Sequence, residues 1–135
     1  MRGAILVSVL ALTGCATAGS TPDVAAPIAR AGTLPAQTLA PGECGLFGYS
    51  VGEPRFVFFA TGSRAAYLGG DDAVLSLTPV GDFPAADYGP VSLALGRADD
   101  WVEGRRYPGA RLTETLDEGF ERVVPLVVVQ TCQSR

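Results

Sequence analysis

The sequence predicts an all-β body over residues 41–135, a single small antiparallel β-sandwich or barrel of about seven strands. Three observations predict it. Short aromatic and apolar runs recur, several alternate with polar residues at period two, and Gly, Pro and Asp clusters separate them every 8–12 residues or so. No stretch of the body sustains the apolar spacing of a helix.

The elements follow in order. Leu46-Phe47-Gly48-Tyr49 and Arg55-Phe56-Val57-Phe58-Phe59 are aromatic-rich runs joined by Val51-Gly52-Glu53-Pro54, the composition of a hairpin turn. Residues 65–68 lead into Gly69-Gly70-Asp71-Asp72, a second turn, and residues 73–77 follow. Val91, Leu93 and Leu95 alternate with Ser92, Ala94 and Gly96, as in a half-buried strand. Ala110, Leu112 and Leu116 alternate with Arg111, Thr113 and Thr115 in the same way. Asp117-Glu118-Gly119 is a turn into residues 120–131, a nearly continuous apolar run that belongs in the middle of the sheet. Pro125 lacks an N–H for the ladder, which predicts a bulge or bend there.

Composition bounds the chemistry. The chain of 135 residues carries a formal charge of −4, has no histidine, and draws all its basic residues from arginine. Without histidine or lysine there is no Ser-His or Cys-His pair, no histidine zinc ligand, no Schiff-base lysine and no Ser-Lys dyad. The expectation is that the protein is not an enzyme and needs no cofactor. No basic stripe offers to neutralise a phosphate backbone, so nucleic acid is not an expected partner.

The N-terminal segment carries a targeting signal. Arg2 precedes an apolar run over residues 4–12, the length of a signal-peptide core and too short to span a bilayer. The run ends in Leu12-Thr13-Gly14-Cys15, which resembles the lipobox of bacterial lipoproteins. That resemblance implies a signal peptide over residues 1–14, cleavage after Gly14, and diacylglyceryl on the Cys15 thiol with acylation of the new amino group. Several acyl chains at ~0.8 kcal/mol per buried methylene make a lasting membrane anchor. Ala16 stands where an aspartate holds many such proteins at the inner membrane, so the resemblance implies the outer membrane, facing the periplasm. Ala16-Thr17-Ala18 also fits the small-x-small site of ordinary signal peptidase, a cut that would release the chain from the membrane. Residues 15–40, rich in Ala, Thr, Gly and Pro, are expected to be the lipidated N-terminus and a flexible linker.

With Cys15 acylated, Cys44 and Cys132 remain at the two edges of the body, an even pair in an exported chain and hence an expected disulfide. If the first strand pairs antiparallel with the last so that Cys44 opposes Cys132, Leu46 opposes Gln130 and Gly48 opposes Val128. Such a bridge closes a loop of about ninety residues and stabilises by about 4–5 kcal/mol in the chain-entropy model. A redox-active pair is the alternative, though such cysteines usually lie close in sequence.

The residues between the alternating strands form the longest expected connection. Asp99, Asp100, Trp101, Arg105, Arg106 and Tyr107 there are a candidate partner-binding loop, since Trp, Arg and Tyr dominate contact energies. The competing reading folds Trp101 and Tyr107 back over the core. The acid pairs Asp71-Asp72 and Asp99-Asp100 lack the spaced oxygens calcium requires, and no metal site is expected.

Pro41-Gly42-Glu43-Cys44-Gly45-Leu46-Phe47, Phe56-Val57-Phe58-Phe59 and the terminal cysteine resemble a group of small uncharacterised bacterial envelope proteins. A weaker likeness joins the chain to membrane-bound inhibitors of c-type lysozyme, whose loop begins Ser-Gly-Ala-Arg-Tyr; here Pro108-Gly109-Ala110-Arg111-Leu112 keeps Gly-Ala-Arg alone. The expected function is therefore a non-enzymatic, lipid-anchored envelope protein serving protein contact or envelope maintenance. The alternative is an inhibitor of a lysozyme-type cell-wall hydrolase.

Overall fold

The computed structural model describes residues 32–135; the expected signal peptide, Cys15 and residues 16–31 of the linker lie outside them. The described chain is all-β, a single antiparallel sheet curled into a half-barrel. Its strands are β1 (Cys44–Ser50), β2 (Phe56–Ala60), β3 (Ala65–Leu68), β4 (Val74–Leu77), β5 (Val91–Ala94), β6 (Asp99–Trp101), β7 (Gly104–Thr115) and β8 (Glu121–Cys132). The order across the sheet is β4-β3-β2-β1-β8-β7-β5, with β6 also paired to β7. Every junction expected from turn residues joins strands that do pair: β1 to β2, β3 to β4, and β7 to β8 through a 3-10 turn at Asp117–Gly119.

The register of β1 on β8 is the one anticipated from the cysteines. Cys44 faces Cys132, Leu46 faces Gln130 and Gly48 faces Val128. The two cysteines are bonded, with Cα atoms 3.9 Å apart. The ladder continues past them, since Gln133 N–H donates to the Glu43 carbonyl at 2.9 Å.

Alternation then sorts side chains to two faces. The inner face carries Leu46, Phe58, Ala60, Tyr67, Leu112, Leu126 and Val128, all buried. The open side of the half-barrel is filled by the connection 78–90, whose Ala86 and Tyr88 are buried; the Tyr88 ring meets Phe58 edge-on at 5.3 Å. Gly48 is required on this face because a Cβ there would lie 2.9 Å from that of Phe58.

Three expectations are corrected. The body does not begin at residue 41: Leu34 is buried, its N–H donates to the Phe56 carbonyl at 2.7 Å, and Leu39 packs on the core, so residues 33–40 belong to the fold. Prolines in that stretch suit an extended segment lying on a sheet as well as they suit a linker.

The irregularity of the last hairpin falls on β7, where Pro108 and Gly109 interrupt the register between Tyr107–Val128 and Ala110–Leu126. Pro125 itself pairs in register with Arg111. Given the Gln133-to-Glu43 bond, odd residues of β8 bond towards β1, and β1 ends at Ser50 opposite Leu126. The nitrogen of Pro125 thus faces a flank that no strand occupies, and no ladder bond is lost.

Finally, residues 99–107 are not a loop. They form a two-residue hairpin, Val102-Glu103, between β6 and β7, and the extra strand brings the total to eight.

Candidate functional site

The hairpin divides the six residues singled out in the sequence. Asp99 pairs with Arg106, Asp100 with Arg105, and Trp101 with Gly104. Register places Asp99, Trp101 and Arg106 on the outer face of the sheet and Asp100, Arg105 and Tyr107 on the inner side. Tyr107 is a core residue, buried, with its hydroxyl donating to Gln130 Oε1 at 2.9 Å. Trp101 remains half exposed, and the Arg106 guanidinium stands 5.9 Å from its ring centroid. Val102 at the tip is 97% exposed. Gly104 permits the turn to close, because a Cβ there would lie 1.9 Å from the Gln130 carbonyl oxygen.

The outer face extends the Trp101–Arg106 pair into a larger apolar field that the sequence reading did not single out. Phe47 and Tyr49 project outward from β1, opposite Val129 and Val127 of β8; Phe56 and Phe59 project outward from β2. Their rings stack: Phe47 to Phe56 at 5.9 Å, Phe47 to Phe59 at 5.1 Å and Tyr49 to Phe56 at 5.5 Å. Arg106 faces Val129 on β8, and Arg111 faces Pro125 two strands' width from Tyr49. Residues 33–40 cover the Phe59 end, where Arg64 lies over the ring at 5.4 Å and ion-pairs with Glu43 at 3.6 Å. The Ala40 N–H, donated to Glu43 Oε2 at 2.8 Å, holds that carboxyl below its ordinary range. The other end of the field is open, with Tyr49, Val123 and Trp101 exposed.

A polar cluster closes one end of the inner face. Arg122 Nη2 donates to the Tyr67 hydroxyl at 2.6 Å and ion-pairs with Glu114 Oε2 at 3.0 Å, while Tyr67 donates to the same carboxylate oxygen at 3.0 Å. Burial pushes the Tyr67 phenol up, and the hydrogen bond to Tyr67 pushes the Arg122 guanidinium up. A cavity of about 380 Å³ adjoins them, lined also by Ser50, Arg55 and Gly70. No sequence signal marks this cluster, whose members come together from β3, β7 and β8.

The remaining candidates resolve simply. Asp71 accepts the Ala73 N–H at 3.1 Å, which is turn chemistry. Among the described residues no group of three or more His, Cys, Asp or Glu is placed to hold a metal ion, and no helix is long and apolar enough to cross a membrane. The Pro108-Gly109-Ala110-Arg111-Leu112 stretch lies within β7, with Ala110 and Leu112 in the core. Compared with known proteins, the chain matches no family model, no curated protein and no solved structure.

Proposed function

We propose that this chain is a non-enzymatic envelope lipoprotein, anchored through acylated Cys15, whose β-body serves as a contact or envelope-maintenance module. The observation that carries the reading is the outer face. There a half-exposed Trp101, paired with Arg106, joins exposed Tyr49 and the valines of β8 in one field, the residue types that supply contact energy. A disulfide across β1 and β8 accords with export to an oxidising compartment, as the N-terminal signal requires. The absence of histidine and lysine from the whole chain supports a binding role over catalysis. Inhibition of a lysozyme-type hydrolase has weaker support, since the Gly109-Ala110-Arg111 stretch offers no protruding loop and contact would fall to the Val102 tip.

The test is the intact mass of the protein recovered from fractionated membranes, with and without reduction. The expected mass is that of residues 15–135 plus acyl groups, rising by two hydrogens on reduction, with the protein in the outer-membrane fraction. An unacylated mass beginning near Gly19 in the soluble fraction would overturn the anchor. Full lysozyme activity at a large molar excess of the protein would dispose of the inhibitor alternative.

A further inference from the structure

We infer that residues 80–88, the middle of the connection between β4 and β5, form a lid that lifts as one unit off the inner face while the sheet stays folded. Such a device owes nothing to the outer face or to the anchor.

Three features separate this segment from the surface it covers. Its polar bonds are its own. Val80 and Asp87 exchange both backbone hydrogen bonds at 2.8 Å, and the Asp87 carboxylate accepts the Gly89 N–H at 2.9 Å. Among the described residues no hydrogen bond or ion pair joins residues 78–89 to the sheet, and the next link is the Thr115 N–H donated to the Pro90 carbonyl. Lifting the segment therefore breaks none of these bonds.

Its grip on the sheet is apolar and small. Only Ala86 and Tyr88 are buried, Phe83 and Pro84 are half-buried, and the other side chains of the segment are exposed. The closed position also carries a cost. The Tyr88 hydroxyl is buried without a hydrogen-bond partner, and water supplies one when the lid lifts. Segments with few buried contacts open at a fraction of the global unfolding free energy.

A pivot is in place at Gly89, where φ is 75° and a Cβ would meet nothing within 4 Å, so the backbone there turns in open space. What the lid uncovers is apolar: Phe58, met edge-on by the Tyr88 ring, on the face it shares with Val91, Leu112 and Leu126. Closed, the lid keeps that surface from water and from other chains.

Thiol labelling under native conditions tests the lid. With Cys15 acylated or cut away and Cys44 bonded to Cys132, Ala86→Cys or Val91→Cys supplies the one free thiol of the mature chain. Ala86 rides on the lid, and Val91 is buried where the connection rejoins the sheet. Each variant, purified at full length and shown to be folded by far-UV circular dichroism, is labelled with dithionitrobenzoate in increasing urea. The expected result is one opening constant for both thiols, with a urea dependence well below that of global unfolding. In the Ala86→Cys background, Tyr88→Phe should slow labelling about tenfold, because the closed lid no longer hides an unpaired hydroxyl. Tyr88→Ala should speed it by about a hundredfold, because the lid loses its main apolar contact.

Labelling of both thiols with the full urea dependence of global unfolding would overturn the inference, since the segment would then open only with the sheet. Labelling of Ala86→Cys while Val91→Cys stays protected would overturn it as well, assigning the motion to fraying of the loop tip. Should a variant misfold, hydrogen exchange of the unsubstituted protein decides: Val80 and Asp87 amides that exchange well before those of β8 uphold the lid, and amides protected to the global level refute it.

Discussion

Replacing both Cys44 and Cys132 by serine tests how this sheet is held together. The bridge joins residues 88 apart and spans almost the whole body, because β1 and β8 are its first and last strands. Closing a loop of that length removes chain entropy from the unfolded state worth about 4–5 kcal/mol. The native state loses little in return, since seven register pairs and the Gln133–Glu43 bond keep the two strands together. The variant should therefore lose most of that amount in unfolding free energy, a large share of the 5–15 kcal/mol or so typical of a domain, and unfold at a correspondingly lower urea midpoint. Its melting temperature should fall by about 20 °C or more. Its urea m-value should rise, because the unfolded chain is no longer looped and exposes more surface. The assay is equilibrium urea unfolding of oxidised, reduced and doubly substituted protein, followed by circular dichroism. A loss under about 1 kcal/mol with an unchanged m-value would refute the reasoning, since it would mean that the unfolded ensemble already holds β1 against β8.

Two further outcomes follow from the inner face. Gly70→Ala places a Cβ 1.9 Å from Arg122 Nη1 and must push the guanidinium off Tyr67 and Glu114; we expect a loss of about 1 kcal/mol that vanishes in an Arg122→Ala background, and additive losses in the double-mutant cycle would refute it. Tyr88 is buried with an unpartnered hydroxyl, and desolvation pushes its pKa up from 10.0 to about 12. Between those values the unfolded chain has released a proton that the native state keeps, so stability is full below about pH 10 and falls by up to roughly 2–3 kcal/mol as pH rises to about 12. Tyr88→Phe should remove that dependence without loss of stability at neutral pH; a urea midpoint in Tyr88→Phe that falls with pH as steeply as before would assign the alkaline loss elsewhere.

Most of the strand plan was legible because its signals are local. Gly52, Gly69 with Gly70, and Gly119 mark turns that join paired strands, and the alternation around Leu93 and Leu112 is the alternation of a sheet with one buried face. The β1–β8 register was legible for another reason: two cysteines constrain a long-range pairing that periodicity cannot reach. The hairpin at Val102-Glu103 was missed because its turn residues are not ones that favour positive φ, and its closure depends on Gly104 meeting the Gln130 carbonyl of a distant strand. Residues 33–40 were missed because their composition is that of a linker; what packs them is the side of Phe56 that β3 leaves unpaired.

The outer face was illegible for a deeper reason. A run apolar at every position, such as Val123, Val124, Leu126, Val127, Val128 and Val129, tells only that both sides of a strand avoid water. In a sandwich the second side would be core, and nothing in the run distinguishes that case from a single curled sheet whose second side is outside. Here Val124, Leu126 and Val128 face the core, while Val127 and Val129 face outward, half-buried beside Tyr49 and Phe47, and Val123 and Pro125 face outward exposed. The same residues that made β8 look central thus supply half of the proposed contact surface. A carboxylate at Val123 separates the two roles: Thr113 opposite it is half-buried and Val123 itself is 56% exposed, so folding should survive the change. If Val123→Asp unfolds the protein instead, the outer field is packing, and its apolar character owes nothing to a partner.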